Sequence, residues 1–119
     1  MAFKAYKDFR EFIATLEQEG EVQRIKEEVD WNLELGAITR RANEAEAPSP
    51  FFENIKDYPG GRVFGAPAAP SARSRYHARI ALSLGLPPET GPITLIEAFA
   101  KGLQLKPIKP RLVKTGPCK

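Results

Sequence analysis

The residues best equipped for chemistry sit together in Arg73-Ser74-Arg75-Tyr76-His77-Ala78-Arg79. His77 is the single histidine of the chain, and imidazole is the side chain best poised for acid–base work near neutral pH. It has no second histidine or cysteine to share a metal with, and the three arginines around it disfavour its charged form. Those arginines, together with Arg62, are suited to gripping a phosphate or carboxylate bidentately. On a helix Arg75 and Arg79 fall at i and i+4 and share a face. The pattern points to an ion-paired contact with a neighbouring domain, and to a surface or interface role for His77.

The remaining candidates carry less. Glu27-Glu28 and the Glu44/Glu46 pair would suit acid–base catalysis if their environments differed, but their polar surroundings leave them solvated. Gly60-Gly61 and Gly65 lack the spacing of a phosphate-cradling loop. Cys118, the one cysteine, stands beside Lys119, a cation that favours the thiolate, yet nothing near it holds a reaction geometry. No self-sufficient active site is expected. Residues 1–119 are assigned no catalytic, cofactor-binding or metal-ligating residue.

Positioning these groups falls to a small α+β domain of about four helices and a short-stranded sheet. A first helix is expected over Asp8–Glu19, with Phe9, Phe12, Ile13 and Leu16 on one stripe. Asp8 serves as its cap, Glu11 occupies the capping-box position, and Gly20 is its stop. Glu21–Val29 reads as a strand with a bulge or an exposed edge. Asp30 or Asn32 can cap a second helix over Leu33–Glu46 that buries Leu35, Ile38 and Ala42. Pro48 and Pro50 end it and open a strand over 51–55. The Tyr58-Pro59-Gly60-Gly61 turn leads to a partner strand, Arg62–Gly65, in a hairpin or meander. A third helix is expected over Ser71–Leu84, with Tyr76, Ile80 and Leu84 inward and Gly85 as its stop. A fourth starts at Thr94 with Glu97 completing a capping box; Gly102 within it signals close packing or an early end. Phe9, Phe12, Ile13, Leu16, Ile25, Leu35, Ile38, Phe52, Val63, Phe64, Ile80, Leu84, Leu95 and Phe99 are expected to form one core.

Apolar residues make up 42% of the 119, a globular value, and no run approaches the length of a membrane span. The opening residues Met1–Lys7 hold no apolar signal core, so no secretory leader is expected, and a single cysteine fits a reducing, cytoplasmic setting. The net charge of +3 is unevenly spread. Through residue 57 there are thirteen acids and eight bases; from residue 58 onward there are two acids and ten bases. A basic half of this kind faces an acidic neighbour or solvent, and no recognised nucleic-acid-binding motif accompanies it, so nucleic acid is not the expected partner.

Beyond residue 105 the chain runs Pro107-Ile108-Lys109-Pro110, Val113, Gly116-Pro117-Cys118. That stretch resembles the junction of the UbiD family of prenylated-flavin decarboxylases, where a first domain hands over to a flavin-binding domain. The likeness spans the chain: Asp8-Phe9-Arg10 with Phe12, Glu19-Gly20-Glu21, Val29-Asp30 with Asn32-Leu33-Glu34, Phe51-Phe52-Glu53-Asn54-Ile55, and Arg62-Val63-Phe64-Gly65-Ala66-Pro67. With Leu84-Gly85-Leu86-Pro87-Pro88 it is similar to the branch containing ferulic and other aryl-acrylic acid decarboxylases. The resemblance implies a first domain over residues 1–105 and an extended linker over 106–119. It further implies a parent enzyme using prenylated FMN, a divalent metal (Mn or Mg) and K, which removes or reversibly adds carbon dioxide on aromatic or α,β-unsaturated acids. The implied partners are the flavin-binding and C-terminal domains, within a homodimer or higher homo-oligomer. Read from its residues alone, the chain also admits a stand-alone module whose basic half binds an acidic protein or nucleic acid. An independent small enzyme is the weakest alternative, since the chemistry inventory is empty.

Overall fold

The computed structural model describes residues 4–117; Cys118 lies outside the described residues. The elements run α1 (Phe9–Gln18), β1 (Val22–Ile25), α2 (Glu34–Glu44), β2 (Ser49–Phe52), β3 (Val63–Phe64), a single 3-10 turn at Arg73–Arg75, α3 (Ala78–Ser83) and α4 (Pro92–Leu103). The expected α+β class stands, with four helices and a three-stranded sheet in the order β1-β2-β3 among the described residues.

β1 and β2 pair in parallel, Val22 opposite Ser49 through Ile25 opposite Phe52, with α2 as their crossover. β2 and β3 pair antiparallel, Phe51 opposite Phe64 and Phe52 opposite Val63, the meander partnership the sequence suggests. Pro50 falls inside the central strand rather than before it. It is tolerated because the ladder to β3 ends there: its carbonyl accepts from Gly65 N–H at 2.8 Å, and its missing donor has no further partner to serve. Gly65 is required at that spot, since a Cβ would lie 2.6 Å from Thr39 Oγ1. β1 is an edge strand, shorter than the expected Glu21–Val29, with Val29 rejoining only as an isolated bridge to Ile55.

Asp8 caps α1, its carboxylate accepting from Glu11 N–H at 3.0 Å, while the Glu11 carboxylate reaches back to Lys7 N–H at 2.7 Å. Ahead of α2, Asp30 accepts from Asn32 N–H at 2.9 Å and donates its own N–H to Glu34 at 2.7 Å, so the capping acts through the preceding turn. Gly20 and Gly85 both take positive φ as helix stops; at Gly85 a Cβ would also strike the Lys4 backbone at 2.3 Å.

Two helices depart from expectation. The third is broken: a 3-10 turn precedes a six-residue α3, and the inward face is Ala78, Arg79, Ala81 and Leu82 instead of Tyr76 and Ile80. Ala78 and Ala81 are fully buried on that face, while the bulkier Tyr76 and Ile80 lie outward. α4 begins at Pro92 behind Gly91, with proline at its first turn, so the Thr94 capping box is not used. Instead of one core, three apolar clusters form. Phe12, Leu16 and Leu82 make the first, Val29, Phe52 and Ile55 the second, and Ala81, Leu86 and Leu95 the third. Phe9, Val63, Ile80 and Phe99 are exposed and do not join them.

Candidate functional site

The strongest charge constellation forms where the end of α1, the starts of β1 and β2, and the Arg73–Arg79 stretch converge. Gly20 turns the chain so that Glu21 points inward, and its carboxylate is buried. Arg79 Nε donates to Glu21 Oε2 at 2.8 Å, and Arg75 Nη2 donates to Oε1 at 3.2 Å. The Ser71 hydroxyl lies 2.6 and 2.8 Å from the two oxygens. Arg79 is 0% exposed and donates its Nη2 to the Ala47 carbonyl; among the described residues Nη1 has no hydrogen-bond partner. Arg75 also reaches the Glu19 carboxylate at 3.2 Å and its carbonyl at 3.4 Å, placing a cation at the negative end of α1.

This arrangement cross-braces four segments. Each Glu21 oxygen accepts from an arginine N–H, and the Ser71 hydroxyl stands within hydrogen-bond reach of both, so the buried carboxylate is committed to contacts within the domain. Arg75 and Arg79 do not share one helix, since the 3-10 turn holding Arg75 is separate from α3, yet they converge on one anion, and it is Glu21 of their own domain rather than a neighbour's. The sequence reading missed Glu21, placing it at the head of a polar strand. A carboxylate directly after a helix-stopping glycine, with an Arg-x-x-x-Arg downstream, was the available signal.

The other candidates scatter. Arg73 is exposed, its Nε 4.0 Å from Glu46. His77 is half-buried against Tyr76, ring centroids 5.1 Å apart, and borders an apolar groove between α3 and α4. Glu27 and Glu28 are exposed, and Glu44 pairs on the surface with Arg40 at 2.9 Å. Arg62 is exposed at a second groove, shared with Arg10, Phe9, Phe64 and Arg24. There Arg24 bridges Glu17 and Glu53 and lies over the Phe51 ring at 4.9 Å. Its hydrogen bond holds the Glu17 carboxyl below the usual carboxylate range, and Glu17 in turn raises the Arg24 pKa. Elsewhere on the surface Lys56 donates to Asp30 at 2.9 Å, which lowers the Asp30 pKa and raises that of Lys56. Among the described residues no group of three His, Cys, Asp or Glu is placed to hold a metal ion. Among them, too, no helix is long and apolar enough to cross a membrane.

Comparison with known proteins gives one consistent picture. The model of the 3-octaprenyl-4-hydroxybenzoate carboxy-lyase N-terminal domain (UbiD_N) matches residues 13–99. Pyrrole-2-carboxylic acid decarboxylase of Pseudomonas aeruginosa is 46% identical over 112 residues, covering 92% of this chain and 23% of that enzyme. Ferulic acid decarboxylase 1 of Saccharomyces cerevisiae is 37% identical over 117 residues, covering 94% of this chain and 23% of the yeast protein. Vanillic acid decarboxylase of Sedimentibacter hydroxybenzoicus, in its open form, superposes with a TM-score of 0.74 at 33% identity, covering 92% of this chain and 22% of that one. The chain thus spans under a quarter of the length of these relatives.

Proposed function

This chain belongs to the UbiD family, matching its N-terminal domain, and from that premise we propose that it is the scaffolding first domain of a carboxy-lyase. The parent enzyme removes, or reversibly adds, carbon dioxide on aromatic or α,β-unsaturated carboxylic acids. One observation carries the reading: the likeness to an aromatic acid decarboxylase runs through 92% of this chain yet fills 23% of that enzyme. The cofactor set that comes with the family is prenylated FMN, a divalent metal (Mn or Mg) and K. These groups do not fit the described residues. No metal-holding cluster is present among them, and Arg75 and Arg79, the natural phosphate ligands, are already bound to Glu19 and Glu21. The cofactor is therefore assigned to the larger remainder of the parent, a cytoplasmic homodimer or higher oligomer. The present domain contributes a braced surface for that remainder to pack on.

Substituting this chain for the matching first quarter of the Pseudomonas enzyme tests the proposal. The chimera is expected to decarboxylate pyrrole-2-carboxylate. The isolated chain is expected neither to do so nor to carry prenylated FMN through gel filtration. Visible flavin absorbance retained by the isolated chain would overturn the scaffolding role. The competing reading, a module whose basic half binds an acidic protein or nucleic acid, loses ground because two of the ten bases behind it, Arg75 and Arg79, are neutralised internally.

A further inference from the structure

α4 buries one residue, Leu95, and leaves Ile93, Ile96, Phe99 and Leu103 between 59% and 73% exposed. Ile96, Phe99 and Leu103 recur at i, i+3 and i+7, so they form a continuous stripe. Ile80 of α3 and Leu84 at its C-terminal cap extend it, lining with Leu95, Ile96 and Phe99 an open groove of about 450 Å³. A contiguous apolar face of this kind on a folded domain marks an interaction surface. Nothing in the following segment covers it, since residues 106–113 form no helix or strand and their side chains are exposed.

Charge decides what fits there. From α4 through residue 117 the chain holds Lys101, Lys106, Lys109, Arg111 and Lys114 against the single acid Glu97. Two copies meeting through α4 would bring both sets of cations together, and like charges across an interface oppose association. The complementary occupant is an apolar surface rimmed by acidic side chains. In the relatives, more than three-quarters of the polypeptide lies outside the part this chain matches, so such a surface has ample chain to come from. We propose that the α3–α4 face docks onto an acid-rimmed apolar surface in the remainder of the parent decarboxylase. This rests on the reading of the chain as that enzyme's first domain.

Hydroxyl-radical footprinting of the isolated chain and of the chimeric enzyme tests it. Oxidation of Ile96, Phe99 and Leu103 is expected to fall several-fold in the chimera. Phe99→Asp should leave the melting temperature of the isolated chain unchanged, because Phe99 is already exposed, and lower that of the chimera. An active chimera whose α4 is oxidised as fast as in the isolated chain would overturn the docking proposal and leave the first-domain reading standing. An inactive chimera with unprotected α4 would remove both. Sedimentation showing the isolated chain as a dimer that Phe99→Asp dissolves would give the face to a second copy instead, again overturning the proposal.

Discussion

Glu21→Gln removes a charge while nearly keeping its shape, and it leaves the buried Arg79 guanidinium without a counter-ion. Stranding a buried charge in this way costs about 3–5 kcal/mol, whereas exposed pairs such as Arg40–Glu44 contribute under about 1 kcal/mol. Urea denaturation of Glu21→Gln, Arg79→Met and the double variant checks this. The double variant should lose much less than the sum of the singles, because each single strands the partner of the other. Additive losses would show that the two charges are not coupled. The aromatic pair at α1 supplies a second contrast. Phe12 is buried and meets Tyr6 edge-on with ring centroids 5.2 Å apart, so Phe12→Ala should cost about 3–5 kcal/mol. Phe9 is 53% exposed, and Phe9→Ala should cost under about 1 kcal/mol by the same measurement.

Elements were legible in the sequence wherever a local signal decided them. The apolar period of α1, the Asp8 cap, and the Gly20 and Gly85 stops all act within a few residues, and the structure follows each except at Phe9, which the α1 stripe includes and the core does not. Legibility failed where a distant partner decided the outcome. Tyr76 and Ile80 look like a core stripe, yet Arg79 lies inward because Glu21, 58 residues earlier in the chain, neutralises it there. The parallel pairing of β1 with β2 also depends on a contact that no local pattern announces. At Gly102 the expectation was close packing or an early end. A Cβ there meets nothing within 4 Å and α4 stops one residue later, so the second alternative is the one realised. Gly102→Ala should therefore stabilise the domain by up to about 1 kcal/mol, read as a raised melting temperature. The Asp30–Lys56 pair ties the turn before α2 to the segment after β2. Its folded carboxyl titrates below the ordinary range, so its contribution is present above that range. It fades as pH drops through about 4 and below. Asp30→Asn should flatten that part of the acid limb of a melting-temperature profile, and salt should shrink the difference.

At the scale of the whole molecule the described residues span 47 × 43 × 22 Å, with a radius of gyration of 16.6 Å; a compact chain of this length would have about 13.5 Å. Part of the excess lies in the extended run beyond α4, where Ile108 is 96% and Leu112 100% exposed. Amide hydrogens over residues 106–114 are expected to exchange quickly in the isolated chain and slowly in the parent enzyme or its chimera. Strong protection in the isolated chain would mean that this segment closes its own domain, and would favour the stand-alone module. The bare α4 stripe also has a consequence in time. In a parent of the relatives' length, roughly 400 residues remain to be made once α4 has been synthesised, and at about 5–20 residues per second their translation takes on the order of 20–80 s. Throughout that interval the sheet and the first three helices have every residue they need to fold, while Ile96, Phe99 and Leu103 wait on the nascent chain for a surface not yet translated. This stretch is where a ribosome-associated chaperone would find its hold.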